Sequence, residues 1–170
     1  MTDAPPGSRS DAATARLRAA LARIDPQATV LAVDVLGLDA RIDLVARDAE
    51  GGVWILLLAE PGRDLERWAD ALAQAAWLAP RLADWHQIAP ERGLRPERGI
   101  RAAVVAAEFE ARTLAAAESL GAAAPRLVRS APDGGRGHDV PAESPEPGRR
   151  APAGRGARSV FRTGLEPRDF

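Results

Sequence analysis

Only two imidazoles, His86 and His138, are available for chemistry, which excludes a metal site built on several histidines. All 23 basic side chains are arginine and none is lysine. That removes a Schiff base, a P-loop lysine and a lysine general base. The absence of cysteine removes disulfides, thiol nucleophiles, zinc fingers and iron–sulfur clusters. Carboxylates and arginines remain. The most regular arginine arrangement is Arg92, Arg95, Arg98 and Arg101, one every three residues through a Gly/Pro loop. Such spacing can track a phosphate backbone. Glu91 and Glu97 are interleaved with it, however, and mixed charge runs are ordinarily solvated surface. Trp54, Trp68, Trp77 and Trp85 can stack on bases. Three of them share one helical segment with apolar neighbours, which suits packing in a core or against a partner. Trp77 and Trp85, eight residues apart, would mark a protein interface if exposed together. His86 follows Trp85 near a helix end, where the helix dipole favours a surface cation. His138 lies in a Pro/Gly-rich stretch with no partners to tune it.

The elements that position these residues are legible from periodicity. Residues 1–10 read as a flexible arm. Asp11 can cap a helix running to about Arg23, with Leu17, Leu21 and Ile24 as its apolar stripe and Asp25-Pro26 as its stop. Strands are predicted at Thr29–Leu36, Arg41–Arg47 and Val53–Leu58. In the second, Ile42, Leu44 and Ala46 alternate with Arg41, Asp43, Val45 and Arg47. Asp48-Ala49-Glu50-Gly51-Gly52 is a hairpin turn, and the third strand is apolar throughout, as a central strand covered on both faces would be. A long helix follows from Asp64 to about Gln87, which Pro80 should kink or split. After the loop Pro90–Gly99, which contains Glu-Arg-Gly twice, come a strand at Arg101–Ala106, a helix at Phe109–Leu120 closed by Gly121, and a strand at Arg126–Arg129. The order predicts one mixed α/β domain over 11–130. Residues 131–158 hold almost no large apolar side chain and are expected to be disordered. Val160, Phe161, Leu165 and Phe170 make 159–170 a possible short docking segment.

The formal net charge of -1 argues against strong sequence-blind binding to nucleic acid, which draws on a net cationic surface. No apolar run reaches the ~18 residues of a membrane span, and the polar N-terminus has no signal core, so a cytoplasmic location is expected. Heavy use of Ala, Arg, Gly and Pro is the coding signature of a GC-rich bacterial genome.

The element order and two segments resemble the PD-(D/E)XK nuclease superfamily, the restriction-endonuclease-like fold. The first segment is Ala40-Arg41-Ile42-Asp43-Leu44-Val45-Ala46-Arg47-Asp48-Ala49-Glu50-Gly51: an Ile-Asp step on a strand, a polar hairpin, then an apolar strand. The second is Gly99–Phe109 with the following Leu114–Leu127. The resemblance covers residues 14 to 130 and implies a mixed sheet in the order helix–strand–strand–strand–helix–strand–helix–strand. In that family a strand-two aspartate and a strand-three glutamate hold Mg²⁺, and a lysine two residues beyond the glutamate helps activate water. Asp43 matches the aspartate and is the implied metal ligand. Leu57 stands at the glutamate position and Ala59 at the lysine position. Gln74 matches a glutamine found near such sites, and Glu60 is one step out of register with the missing glutamate. A single carboxylate holds Mg²⁺ weakly, and arginine cannot replace the lysine as a base.

These residues also have plainer readings. Asp43 can pair with Arg41, Arg47 or another arginine; Gln74 can be an ordinary helix residue; Glu60-Pro61-Gly62 can be the turn leaving a strand. The expectation is a catalytically inactive nuclease-like domain that binds nucleic acid or protein and needs no cofactor. The nucleic-acid surface would be the Arg92/Arg95/Arg98/Arg101 loop. A protein surface would be the Trp77/Trp85 helix face or 159–170. One alternative is a Mg²⁺-dependent endonuclease with an altered centre of Asp43, Glu60 and Asp34 or Glu50. Another is a protein assembly module with no nucleic-acid role.

Overall fold

The computed structural model describes residues 7–130, with side chains from residue 11. The features expected at 131–158 and 159–170, and His138, lie outside the described residues. The elements are α1 (Gly7–Ile24), β1 (Thr29–Leu36), β2 (Arg41–Arg47), β3 (Val53–Leu58), α2 (Asp64–Leu78), α3 (Leu82–Ile88), β4 (Ile100–Ala106), α4 (Ala111–Leu120) and β5 (Arg126–Arg129). This is the order the sequence predicts. The first helix begins at Gly7 rather than Asp11, so part of the expected arm is helical.

One five-stranded sheet runs β1-β2-β3-β4-β5. Short connections make β1, β2 and β3 antiparallel, and the two helical crossovers make β3–β4 and β4–β5 parallel. The α1 stripe of Leu17, Ala20 and Leu21 packs on Leu44, Ala46, Trp54, Leu56, Ala103 and Val105. On the other face Trp68, Ala71 and Leu78 of α2 and Leu82 of α3 cover Ile42, Val45, Ile55, Leu57 and Val104. β3 is therefore buried on both sides, which explains its unbroken apolar sequence. Each fully buried Leu or Ile there contributes about 1.5–3 kcal/mol.

Pro80 does split the long helix. It lies at the start of a 3-10 turn, Ala79–Arg81, where its missing N–H costs least. The loop after α3 holds two further 3-10 turns, Pro90–Arg92 and Pro96–Arg98, so the repeated Glu-Arg-Gly is one turn design used twice. In the β2–β3 hairpin, Asp48 is 8% exposed, and its Oδ1 accepts the N–H groups of Glu50 at 2.7 Å and Gly52 at 2.8 Å.

The simple alternation expected for β2 is not what forms. Leu44 and Ala46 face α1, whereas Ile42 faces α2 together with Val45. The pattern breaks at Asp43. Opposite it, between the pairs Val33↔Leu44 and Val35↔Ile42, Asp34 has a positive φ of 54°. A residue in that conformation interrupts the pleat, and aspartate tolerates it better than most.

Candidate functional site

The β2–β3 ladder ends at the pair Leu44↔Leu56. Beyond it the strands part, and a cleft of about 1280 Å³ opens between them, the start of α2 and the end of β4. Asp43, Asp34 and Glu60 all line it. Glu50 does not: it belongs to the hairpin at the other end of β2 and pairs with Arg98 at 3.1 Å. Of the carboxylates considered for an altered centre, the fold thus gathers three and leaves one remote.

One oxygen of the Asp43 carboxylate is already engaged. Its Oδ2 accepts the Leu58 N–H at 2.7 Å and a guanidinium N–H of Arg67 at 2.7 Å. The first bond substitutes for a ladder bond that the diverging strands cannot make. Arg67 also donates to the Leu58 carbonyl at 3.1 Å and to Asp70 at 3.3 Å. The Arg67 and Asp43 side chains are 20% and 28% exposed, so their pairing is shielded from full solvent screening. Asp34, across the ladder, takes a different cation, Arg41. The fold therefore sets two carboxylates opposite each other and gives each its own arginine.

The positions matching the missing catalytic residues are apolar, Leu57 beneath the cleft and Ala59 in its wall. Leu57 is wholly buried and Ala59 is 5% exposed, both in the cluster beneath α2. Glu60 is exposed on the cleft rim. Gln74 is 2% exposed and is not part of the cleft lining. Its Oε1 accepts the Leu38 N–H at 3.0 Å, so it ties the β1–β2 turn to α2. Among the described residues no three His, Asp or Glu side chains converge as cation ligands. Mg²⁺ demands an oxygen shell of near-octahedral geometry. The cleft carboxylates do not converge into such a shell: Asp43 Oδ2 is bonded to Arg67 and the Leu58 amide, and Asp34 is paired with Arg41.

Asp64, at the first position of α2, braces the far wall of the cleft. Its Oδ2 accepts the Glu110 N–H at 2.8 Å, just ahead of α4. Burial pushes the Asp64 carboxyl up, but the Thr113 hydroxyl, the Glu110 N–H and the nearby Arg112 outweigh it and hold the group below the usual carboxylate range.

The four loop arginines separate. Arg101 stacks over the Trp54 ring at 4.4 Å and pairs with Asp48, while Trp54 Nε1 donates to Asp25 at 3.0 Å. Arg92 offers its carbonyl to Arg47 at 2.8 Å, and its side chain lies beside Glu91. Arg95 and Arg98 line a second, shallower hollow together with Arg47. Trp77 and Trp85 do not form an exposed aromatic patch: both are half-buried against the α2-side core, and Arg81 covers Trp77 at 4.2 Å. His86 is exposed on α3. Among the described residues no helix is long and apolar enough to cross a membrane.

Arg67, Asp64 and Arg47 were not singled out from the sequence as site residues. For Arg67 a signal existed: it immediately precedes the core residue Trp68 and sits three before Asp70, on the flank of a helix facing the sheet.

No protein-family model and no curated protein matches the chain. Two solved structures are similar to it. One is a repair endonuclease from Pyrococcus abyssi, with a TM-score of 0.47, 13% identity, and coverage of 78% of this chain and 50% of that one. The other is EndoMS in complex with double-stranded DNA, with a TM-score of 0.46, 15% identity, and coverage of 78% and 48%. The chain spans about half the length of each.

Proposed function

We propose that this is a nuclease-like domain that binds rather than cuts. The nuclease-like part is supported by the segment around Asp43 and by an element order that agrees with the one this resemblance implies. One observation carries the rest: Asp43 Oδ2 already accepts from Arg67 and the Leu58 amide, and the apolar Leu57 and Ala59 stand where the other catalytic groups would be. Arg67 supplies the positive charge that the carboxylate needs. It cannot generate hydroxide, because guanidinium has no accessible conjugate base.

The test is cleavage of plasmid and oligonucleotide by the full chain with Mg²⁺ or Mn²⁺, beside Asp43→Ala. The expected result is no cleavage above a protein-free control. Cleavage that disappears in Asp43→Ala would restore the altered-centre endonuclease.

An assembly role is the second reading, favoured by β1. This edge strand and its turn leave Val33, Leu36 and Leu38 at 44%, 70% and 55% exposure. Unprotected edges invite pairing with another chain. Light scattering over a concentration series checks it: self-association that Leu36→Arg abolishes would favour this role.

A further inference from the structure

We infer that the hollow at the hairpin end of the sheet is a phosphate-binding site, formed by Arg47, Arg95 and Arg98. It is an open hollow of about 420 Å³ and lies at the opposite end of β2 from Asp43. Four residue steps of strand separate Asp43 from Arg47, about 13 Å. The inference does not rest on the cleft being inert.

Three arginines reach the hollow from two chain segments, and Glu50 is its one acidic lining residue. Arg47 closes β2; Arg95 and Arg98 belong to the loop before β4. The loop is pinned to the hairpin by the Arg95 N–H, which donates to the Gly51 carbonyl at 2.8 Å. Arg47 is pinned to the loop by its bond to the Arg92 carbonyl. The loop backbone and the Arg47 guanidinium are thus pre-positioned rather than gathered on binding, which lowers the entropy cost of holding a ligand.

Two glycines make this convergence possible. A Cβ on Gly93 would come within 2.5 Å of the Arg47 guanidinium, and one on Gly51 within 2.6 Å of Arg95 Cγ. Both glycines also have positive φ, 64° and 94°. Any larger residue would displace the arginine lying over it. Arg47 Nε, meanwhile, is buried and has no hydrogen-bond partner among the described residues. Planar guanidinium forks suit the oxygens of a phosphate group in particular. Glu50 holds Arg98 at 3.1 Å with both side chains well exposed, so a phosphate can compete for that arginine.

The phosphate can belong to a nucleic-acid backbone or to a small phosphorylated molecule. Titration of inorganic phosphate into the ¹⁵N-labelled full chain, followed by a short DNA duplex, separates the two. Phosphate should move the Gly51, Gly93 and Arg95 amide resonances saturably. Arg95→Ala with Arg98→Ala should weaken this by about tenfold. Glu50→Gln should strengthen it, a gain that misfolding cannot mimic. A duplex that moves the same resonances identifies the backbone as the source. A response to phosphate and none to duplex identifies a small ligand; either supports the site. Absence of saturable shifts, or shifts indifferent to all three substitutions, would overturn it. Metal-dependent cleavage through Asp43 would overturn the binding-only reading and leave this result intact.

Discussion

At the scale of single residues, Asp43 is held by two partners whose contributions can be separated. Arg67→Ala removes a charged donor from a partly buried carboxylate and should destabilise the fold by about 1–3 kcal/mol. Asp43→Asn keeps an acceptor for the Leu58 N–H and should cost less than Asp43→Ala. A double-mutant cycle on Asp43 and Arg67, read by urea denaturation, should return a coupling of about 1 kcal/mol or more. Coupling indistinguishable from zero would mean that the pair is incidental. Gln74 gives a contrasting case. If it holds the β1–β2 turn and has no part in chemistry, Gln74→Ala should cost about 1–2 kcal/mol and leave any ligand binding unchanged. The sequence showed Asp43 as a strand carboxylate and allowed an arginine partner. It did not show which one, because the partner is chosen by how α2 lies across the end of the sheet.

At the scale of elements, Asp64 joins the starts of α2 and α4 through one carboxylate. Its folded-state group titrates below the ordinary range, whereas in the unfolded chain it titrates near ~3.9. Its contribution is therefore complete above that value and is lost as pH falls through the lower, folded value. Thermal denaturation of wild type and Asp64→Asn should differ at neutral pH by the equivalent of about 1–3 kcal/mol and converge in acid. A gap that persists unchanged at low pH would refute the role. Most elements were legible from sequence: β3 from its apolar run, the hairpin from Asp48 and its glycines, the helix break from Pro80. The misplaced feature was the facing of Ile42. Strict alternation assumes an unbroken pleat, and the distortion at Asp34 and Asp43 depends on a cross-strand pairing that no local window contains.

On the scale of the whole molecule, the two ends of β2 carry opposite chemistry. Carboxylates line the cleft at one end, and arginines line the hollow at the other. A net charge of -1 hides this division, which is why composition alone argued against nucleic acid without locating a cationic surface. The division makes a testable demand on binding: any affinity for a phosphate-bearing ligand should fall with salt and depend on Arg95 and Arg98, not on Asp43. Whether the cleft holds a metal is read by Mn²⁺, because the free ion is visible by electron paramagnetic resonance. Titrated into the full chain, Mn²⁺ should remain free, with wild type and Asp43→Ala giving superimposable curves. Saturable loss of the free-ion signal in wild type that vanishes in Asp43→Ala would show that Asp43 holds a metal after all.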